Sequence, residues 1–313
     1  MKNLTNEPTS VSITYCDVMG GSEDIFIDSE CFLDWGPGNM DAEPLLTPDG
    51  HLRSGSPCIG AGMLLDAPGS DGEGEPRPSG GAVDIGCDEY VDSDLDQLPD
   101  YWEQQFFGSP TDAVADEDVD GDTFSNLEEC TLFGSNPIAP PYFVDGDNGS
   151  DDYDGLAARH ATGLHGPKRT IQAGINAAGE GDTVLVAPGT YRGAGNVNLQ
   201  TWGKPMVVHA PEGPAVTVID CEEAGRGFAF WWYETPATVI SGFTVTGAKT
   251  DTGGGAVLCG WASPRVRNCV LTDSEAGWGG GLYAWVAAPI LENCRIEGNR
   301  PNGLEVRWAC MHL

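Results

Sequence analysis

The sequence predicts an all-β chain organised as a right-handed parallel β-helix, and three observations carry that expectation. A unit close to 25 residues recurs: GGGAVLCGWASPRVRNCVLTDSEAGW from Gly253 and GGGLYAWVAAPILENCRIEGN from Gly279, with Pro264 and Pro289, Asn268 and Asn293, and Cys269 and Cys294 each 25 apart. Within each copy, short runs alternate apolar and polar residues and are broken by Gly, Asn, Ser and Pro, which is strand chemistry rather than helix chemistry. Gly 44 and Pro 22 in 313 residues supply the turns that many short strands need.

So small a unit cannot bury its own apolar face. Copies must stack as coils, with equivalent residues roughly 4.8 Å apart in parallel sheets. A leucine-rich repeat has a similar length, but its spaced-Leu consensus is absent. An earlier copy is visible in TPATVISGFTVTGA, where Ile240, Phe243 and Val245 match Val266, Cys269 and Leu271. The segment ITYCDV, Ile13 to Val18, fits the same template. Stacking predicts ladders of Cys269 over Cys294 and Asn268 over Asn293, the latter inward or lining a turn. Upstream, Ile171, Ile175 and Ala178 form one apolar helix stripe. Gly179 and Gly181 stop that helix before an apolar strand at 183–187. Such a helix would cover the open end of a coil stack, whose exposed strands are otherwise adhesive.

The stretches YFVDGDNGSDDYDGL and PKRTIQAGINAAGEGDTVLVAPGTYR, within residues 142–192, resemble the opening of bacterial secreted β-helix repeat proteins of the pectin-lyase-like fold. The elements GNMDAEPLL, HLRSGSPCIGAG and PRPSGGAVDIGCDEY resemble the closing segment of the same family. The resemblance implies an order. Residues 1–90 hold the last coil and closing segment of one β-helix, 91–140 a linker, and 141–313 the cap and first coils of a second.

Charge narrows the partners. With 15 Lys+Arg against 48 Asp+Glu the formal charge is −33, which repels nucleic acid and anionic membranes. No run approaches the roughly 20 apolar residues of a membrane-spanning helix, so no membrane insertion is expected. The start MKNLTNEPTS lacks the apolar core of a signal peptide, and the end stops within the repeat. Both are expected to be cuts in a longer exported protein, extracellular or on the cell surface. Ten cysteines without a C-x-x-C pair argue against a zinc ribbon. Buried free thiols are the favoured reading; Cys58 with Cys87 is the disulfide to test.

Residues 92–129 carry thirteen Asp and Glu and no Lys, Arg or His. Two frames of identical spacing lie within them. In DSDLDQLPDYWE, Asp92, Asp94, Asp96, Asp100 and Glu103 occupy positions 1, 3, 5, 9 and 12; in DVDGDTFSNLEE, Asp118, Asp120, Asp122, Asn126 and Glu129 do the same. Calcium takes six to eight hard oxygen ligands, and a 12-residue loop wraps them around one ion, with a carbonyl at position 7 from Leu98 and Phe124. Position 6, where an EF-hand places Gly, is Gln97 in one loop and Thr123 in the other. A second frame through Asp116, Asp118, Asp120 and Gly121 would place Gly there but lose the final Glu. The shared pattern is similar to bacterial thrombospondin type 3-like and dockerin-like repeats, which implies Ca2+. A solvated acidic spacer is the competing reading. Trp102, Phe106, Phe107, Leu127, Leu132 and Phe133 count against it, because a mere spacer has no use for them.

No catalytic residues are identified. His160, His165, Lys168 and Arg169 cluster before the helix and read as a polar loop feeding it. The Asp145–Asp154 loop reads as a Gly/Asp turn. Trp232, Trp261 and Trp285 precede Pro236, Pro264 and Pro289 by three or four residues and are the candidate glycan-stacking column, with Trp308 as an extension; a sealing aromatic stack is the alternative. The functional expectation is a non-catalytic, calcium-binding β-helix module that binds polysaccharide or cell-surface glycan, or adheres. The alternative is part of a polysaccharide lyase or glycoside hydrolase whose catalytic coils lie outside this chain.

Overall fold

The computed structural model describes residues 10–65 and 67–301. They form two compact units, Met1–Glu117 and Asp118–Leu313. The boundary falls between the two acidic frames.

The second unit is a parallel β-helix. Its largest sheet has six strands, in the order Ile290–Glu292, Arg265–Arg267, Val239–Ser241, Val207–His209, Thr183–Val186 and Tyr142–Val144. A five-stranded sheet runs from Arg295–Glu297 to Gly189–Tyr191, and two three-stranded sheets close the coil. All strand pairs are parallel. One inward ladder is Val184, Val208, Ile240 and Val266; another is Ile219, Val245 and Leu271, and every member is fully buried. Each such side chain contributes about 1.5–3 kcal/mol, so the stack is held by apolar ladders that no single coil could build.

Phe243, Cys269 and Cys294 follow one another in the same way, since Val270 donates to the Phe243 carbonyl and Arg295 to the Cys269 carbonyl. Gly242, Asn268 and Asn293 sit at one corner with φ of 87°, 49° and 52°. Asn tolerates that left-handed backbone through local hydrogen bonding. The two Asn side chains face solvent, so what they supply along the stack is the corner itself. Asn299, by contrast, bridges coils. Its side chain donates to the Leu271 carbonyl at 2.7 Å and accepts from Ser274 N–H at 3.0 Å.

The helix Ile171–Ala177 begins at Thr170, whose hydroxyl accepts from Ala173 N–H. It packs on the end strands Tyr142–Val144 and Thr183–Val186, burying Ile171 and Ile175 in their core. Gly174 permits this approach, because a Cβ there would stand 2.6 Å from Val144 and 2.9 Å from Val184.

In the first unit, Ser10–Ile13 pairs in parallel with Phe32–Trp35. Asn39 bridges this coil as Asn299 does the other, donating to the Ile13 carbonyl and accepting from Cys16 N–H. The segment at 77–89 is built on a buried ion pair, Arg77 Nε to Glu89 Oε2 at 3.2 Å. Glu89 also accepts from Ser79 and Asp84 N–H, while Arg77 donates to the Gly86 and Asp88 carbonyls. Those extra bonds offset the desolvation that a buried pair alone would not recover. Cys58 is a buried free thiol and Cys87 an exposed one. The disulfide singled out for testing is therefore not formed, and the buried Cys58 thiol donates to the Asp17 carboxylate at 3.6 Å.

Candidate metal centre

Both acidic frames fold into the same loop. In the first, Asp92 accepts from Leu95 and Gln97 N–H; in the second, Asp118 accepts from Gly121 and Thr123 N–H. These are positions 4 and 6 each time. At position 5, Asp96 accepts from Leu98 N–H and Asp122 from Phe124 N–H, each at 2.9 Å. Position 9 opens a helix in both, at Asp100–Phe106 and Asn126–Glu128. Leu98 and Phe124, expected as carbonyl donors, bury their side chains and anchor the loops.

The position-6 residues carry the cost of this shape. Gln97 has φ of 84° and Thr123 of 81°, a region where a β-branched residue is strained. The loops therefore make the sharp EF-hand turn without the usual Gly. Asp116 stays out of the cluster, so the backbone follows the frame shared by the two loops.

One ligand oxygen each from Asp92, Asp94 and Asp96 lies within 4.8 Å of the others, and the same holds for Asp118, Asp120 and Asp122. Glu103 and Glu129, at position 12, are fully buried. One oxygen of each is satisfied, by Ala113 N–H and by the Ser135 hydroxyl, and the other accepts no hydrogen bond. Asp120 Oδ2 is buried in the same state. Burial, then the nearby Asp94 and Asp96, pushes the Glu103 carboxyl up to about 7. Burial, then Asp122, pushes Glu129 up to about 9. Asp100 gives both oxygens to Ser93, at 2.7 and 2.6 Å. Glu128 caps its helix through Ser125. A hard cation fits these residues: buried carboxylate oxygens without donors are what such an ion would satisfy.

Thr183 is a partner that the sequence did not mark. Its hydroxyl reaches Asp122 at 2.5 Å and ties the second loop to a strand of the largest sheet. Phe124 and Phe133 pack on Val207 and Val239 of that sheet.

The tryptophans fall along one edge, but in a different register from the one expected. Gly260 pairs with Trp285, and Cys259 with Phe230. Trp232 and Trp261 are thus level, while Trp285 is level with Gly260 and Trp231. The reason is spacing: these strands pair 25 residues apart, as Val257 with Leu282, whereas Trp261 and Trp285 are 24 apart. Successive rings lie 6.3 Å apart for Trp231 and Trp261, and 4.2 Å for Trp261 and Trp285, tilted by 50° and 60°. Trp232, Trp261 and Trp285 are 54%, 42% and 44% exposed. Trp308 lies outside the described residues. Glu234, buried nearby, holds the corner by accepting from Thr201, Gly203 and Trp232.

The polar loop before the helix is knitted to itself. His165 bonds Asp154 at 2.8 Å, Lys168 donates to the Asp151 carbonyl, and Asp151 accepts from Arg169 and Thr170 N–H. Asp145 accepts from Asp147 and Asn148 N–H, as in an Asx turn. No family model, curated protein or solved structure matches the chain.

Proposed function

We propose that the chain is a calcium-rigidified β-helix module of an extracellular or cell-surface protein, one that binds a polysaccharide or cell-surface glycan without transforming it. The observation that supports calcium is the pair of fully buried glutamates, Glu103 and Glu129, each with an oxygen that accepts no hydrogen bond behind three converging aspartates. Burying a charge without a partner is expensive. Calcium removes that cost, because its flexible shell of six to eight oxygens accepts carboxylates in one- or two-point contact. Asp92, Asp94, Asp96 and Glu103 would hold one ion; Asp118, Asp120, Asp122, Asn126 and Glu129 a second. The likeness of the frames to thrombospondin type 3-like and dockerin-like repeats, and of the flanking segments to secreted pectin-lyase-like proteins, supports the same ion and an exported setting.

Calorimetry on the full chain after chelation is expected to give two binding events. Asp94→Ala should remove one and Asp120→Ala the other. Absence of heat up to millimolar calcium would leave both loops as solvated spacers.

Half-exposed indoles at successive coils support the glycan part. A sugar face stacks weakly on one ring, and several rings on one edge add by multivalency. Soluble polysaccharides should retard the chain in affinity gels and perturb its tryptophan emission, and Trp261→Ala with Trp285→Ala should abolish both. Lack of retardation by every glycan, with a lower melting temperature in the double variant, would make the edge a packing seal.

A further inference from the structure

Outside the acidic loops, the closing segment of the first unit brings together His51, Glu73 and Asp88, one donor atom of each within 4.8 Å of the others. Three separate turns place them. His51 is fixed by a tight turn in which its N–H donates to the Thr47 hydroxyl and its carbonyl accepts from Thr47 N–H. Glu73 rides on a turn organised by Asp71, whose Oδ1 accepts from the N–H groups of Glu73, Gly74 and Glu75. Asp88 is held by Leu52 N–H on Oδ2 at 2.6 Å and by Arg77 on its carbonyl.

Two observations point to a ligand here. Asp88 is only 6% exposed, and its Oδ1 is buried without a hydrogen-bond donor. His51 Nε2 stands 3.2 Å from Glu73 Oε1 while Nδ1 stands 3.4 Å from Asp49 Oδ2. Two ligands bonded to one ion at about 2.0–2.2 Å are roughly 3.0–3.5 Å apart, which is the separation of Nε2 and Oε1. The Asp49 carboxylate beside the other ring nitrogen favours a proton there, which leaves Nε2 free to coordinate. Tyr101 stacks on the ring at 4.1 Å and sets its plane.

We propose that His51, Glu73 and Asp88 bind a divalent ion of the zinc type, with Asp49 as the residue that orients the imidazole. The mixed nitrogen and oxygen set separates this site from the oxygen-only acidic loops, since imidazole suits zinc and calcium prefers oxygen alone. Three protein ligands leave a fourth position for water. Asp71 adds negative charge close by, and Glu75 Oε2 is a further buried oxygen without a donor. The competing occupant is a proton on His51, held between the Asp49 and Glu73 carboxylates.

The test is zinc titration of the full chain in saturating calcium, followed by calorimetry, with cobalt absorption as a second probe. Glu73→Gln and Asp88→Asn should each weaken zinc by about tenfold or more, and His51→Gln should remove the cobalt band. Because His51 is stacked, its variant could lose structure; Glu73, whose side chain is 39% exposed, decides the matter, with a melting curve as control. No zinc uptake by the unaltered chain would overturn the site, leaving His51 as an imidazolium paired with Asp49 and Glu73. Uptake unchanged in Glu73→Gln but lost with Asp94→Ala and Asp120→Ala would overturn it too, by placing the ion in the acidic loops.

Discussion

In the loop at 92–103 the supporting wall is local. Leu98 and Trp102 are buried, Trp102 packs against Phe106 and Phe107 at 5.2 and 5.8 Å, and the following chain returns Ala113 N–H to Glu103 and Ala115 N–H to Asp96. In the loop at 118–129 the wall is the β-helix. Phe124 and Phe133 lie on Val207 and Val239, Arg267 covers the Phe133 ring at 5.0 Å, and Asp122 is bonded to Thr183. The same frame, with the same turn hydrogen bonds, has thus been mounted on two supports. The more extended support buries its carboxylates more deeply, which is why Glu129 is raised further than Glu103. Local sequence sets the loop; tertiary packing sets its electrostatics.

The largest expected effect tests the mounting. Phe124→Ala should cost about 3–5 kcal/mol in chemical denaturation and should raise amide exchange in Val207–His209 and Val239–Ser241. The matched change Leu98→Ala, at about 2–5 kcal/mol, should instead expose Asp100–Phe106 and the segment at 113–115. Unchanged exchange at 207–209 in Phe124→Ala would end the idea that the second loop is anchored on the coils.

Chelation comes next. Each calcium site should contribute about 2.7 kcal/mol when free calcium is a hundredfold above its dissociation constant, read as a calcium-dependent melting temperature. Asp120→Ala should abolish the shift of the β-helix unit, and Asp94→Ala that of the first unit.

Acidity separates the two loops further. In the calcium-free chain both glutamates hold protons that the unfolded chain has released, so the folded state binds more protons and stability falls as pH rises. The loss begins above the unfolded value of 4.5; for Glu103 it is complete above about 7 and for Glu129 above about 9. At neutral pH, calcium should therefore displace more proton from the second loop than from the first. Calorimetry in buffers of different ionisation heat measures this, and equal release would remove the electrostatic distinction.

The smallest effect concerns the strained turns. Thr123→Gly and Gln97→Gly should each stabilise by about 1 kcal/mol, since a left-handed backbone costs roughly that for a side-chain-bearing residue. A loss of stability would show that the side chains contribute contacts of their own.

Much of this was readable in the sequence. The matches of Ile240 with Val266, Phe243 with Cys269 and Val245 with Leu271 are the observed register, because inward positions must repeat in kind. The helix stripe at Ile171, Ile175 and Ala178 also lies where its spacing placed it. The one-residue offset of Trp285 is written in the spacing too, since Trp261 and Trp285 are 24 apart while Pro264 and Pro289 are 25 apart. Position 6 was read as a defect in the frame, yet Gln97 and Thr123 adopt the glycine-like turn, since hydrogen bonds to Asp92 and Asp118 hold them there. His51, Glu73 and Asp88 were invisible because they meet through turns, without any spacing rule. Thr183 was equally silent, as an ordinary strand threonine whose partner is 61 residues away.

The hydrogen bond from Thr183 to Asp122 also bears on how such chains are assembled from parts. A crossover placed between Glu117 and Asp118 would hand each acidic loop to its new host together with the contacts described above as holding it. A crossover after residue 129 would deliver the same loop stripped of Phe133, Thr183, Val207 and Val239, with the Phe124 ring and a buried aspartate opened to water. The interchangeable cassette in this architecture is then the loop plus the coils beneath it, and inheritance should favour joints inside the acidic stretch over joints at its ends.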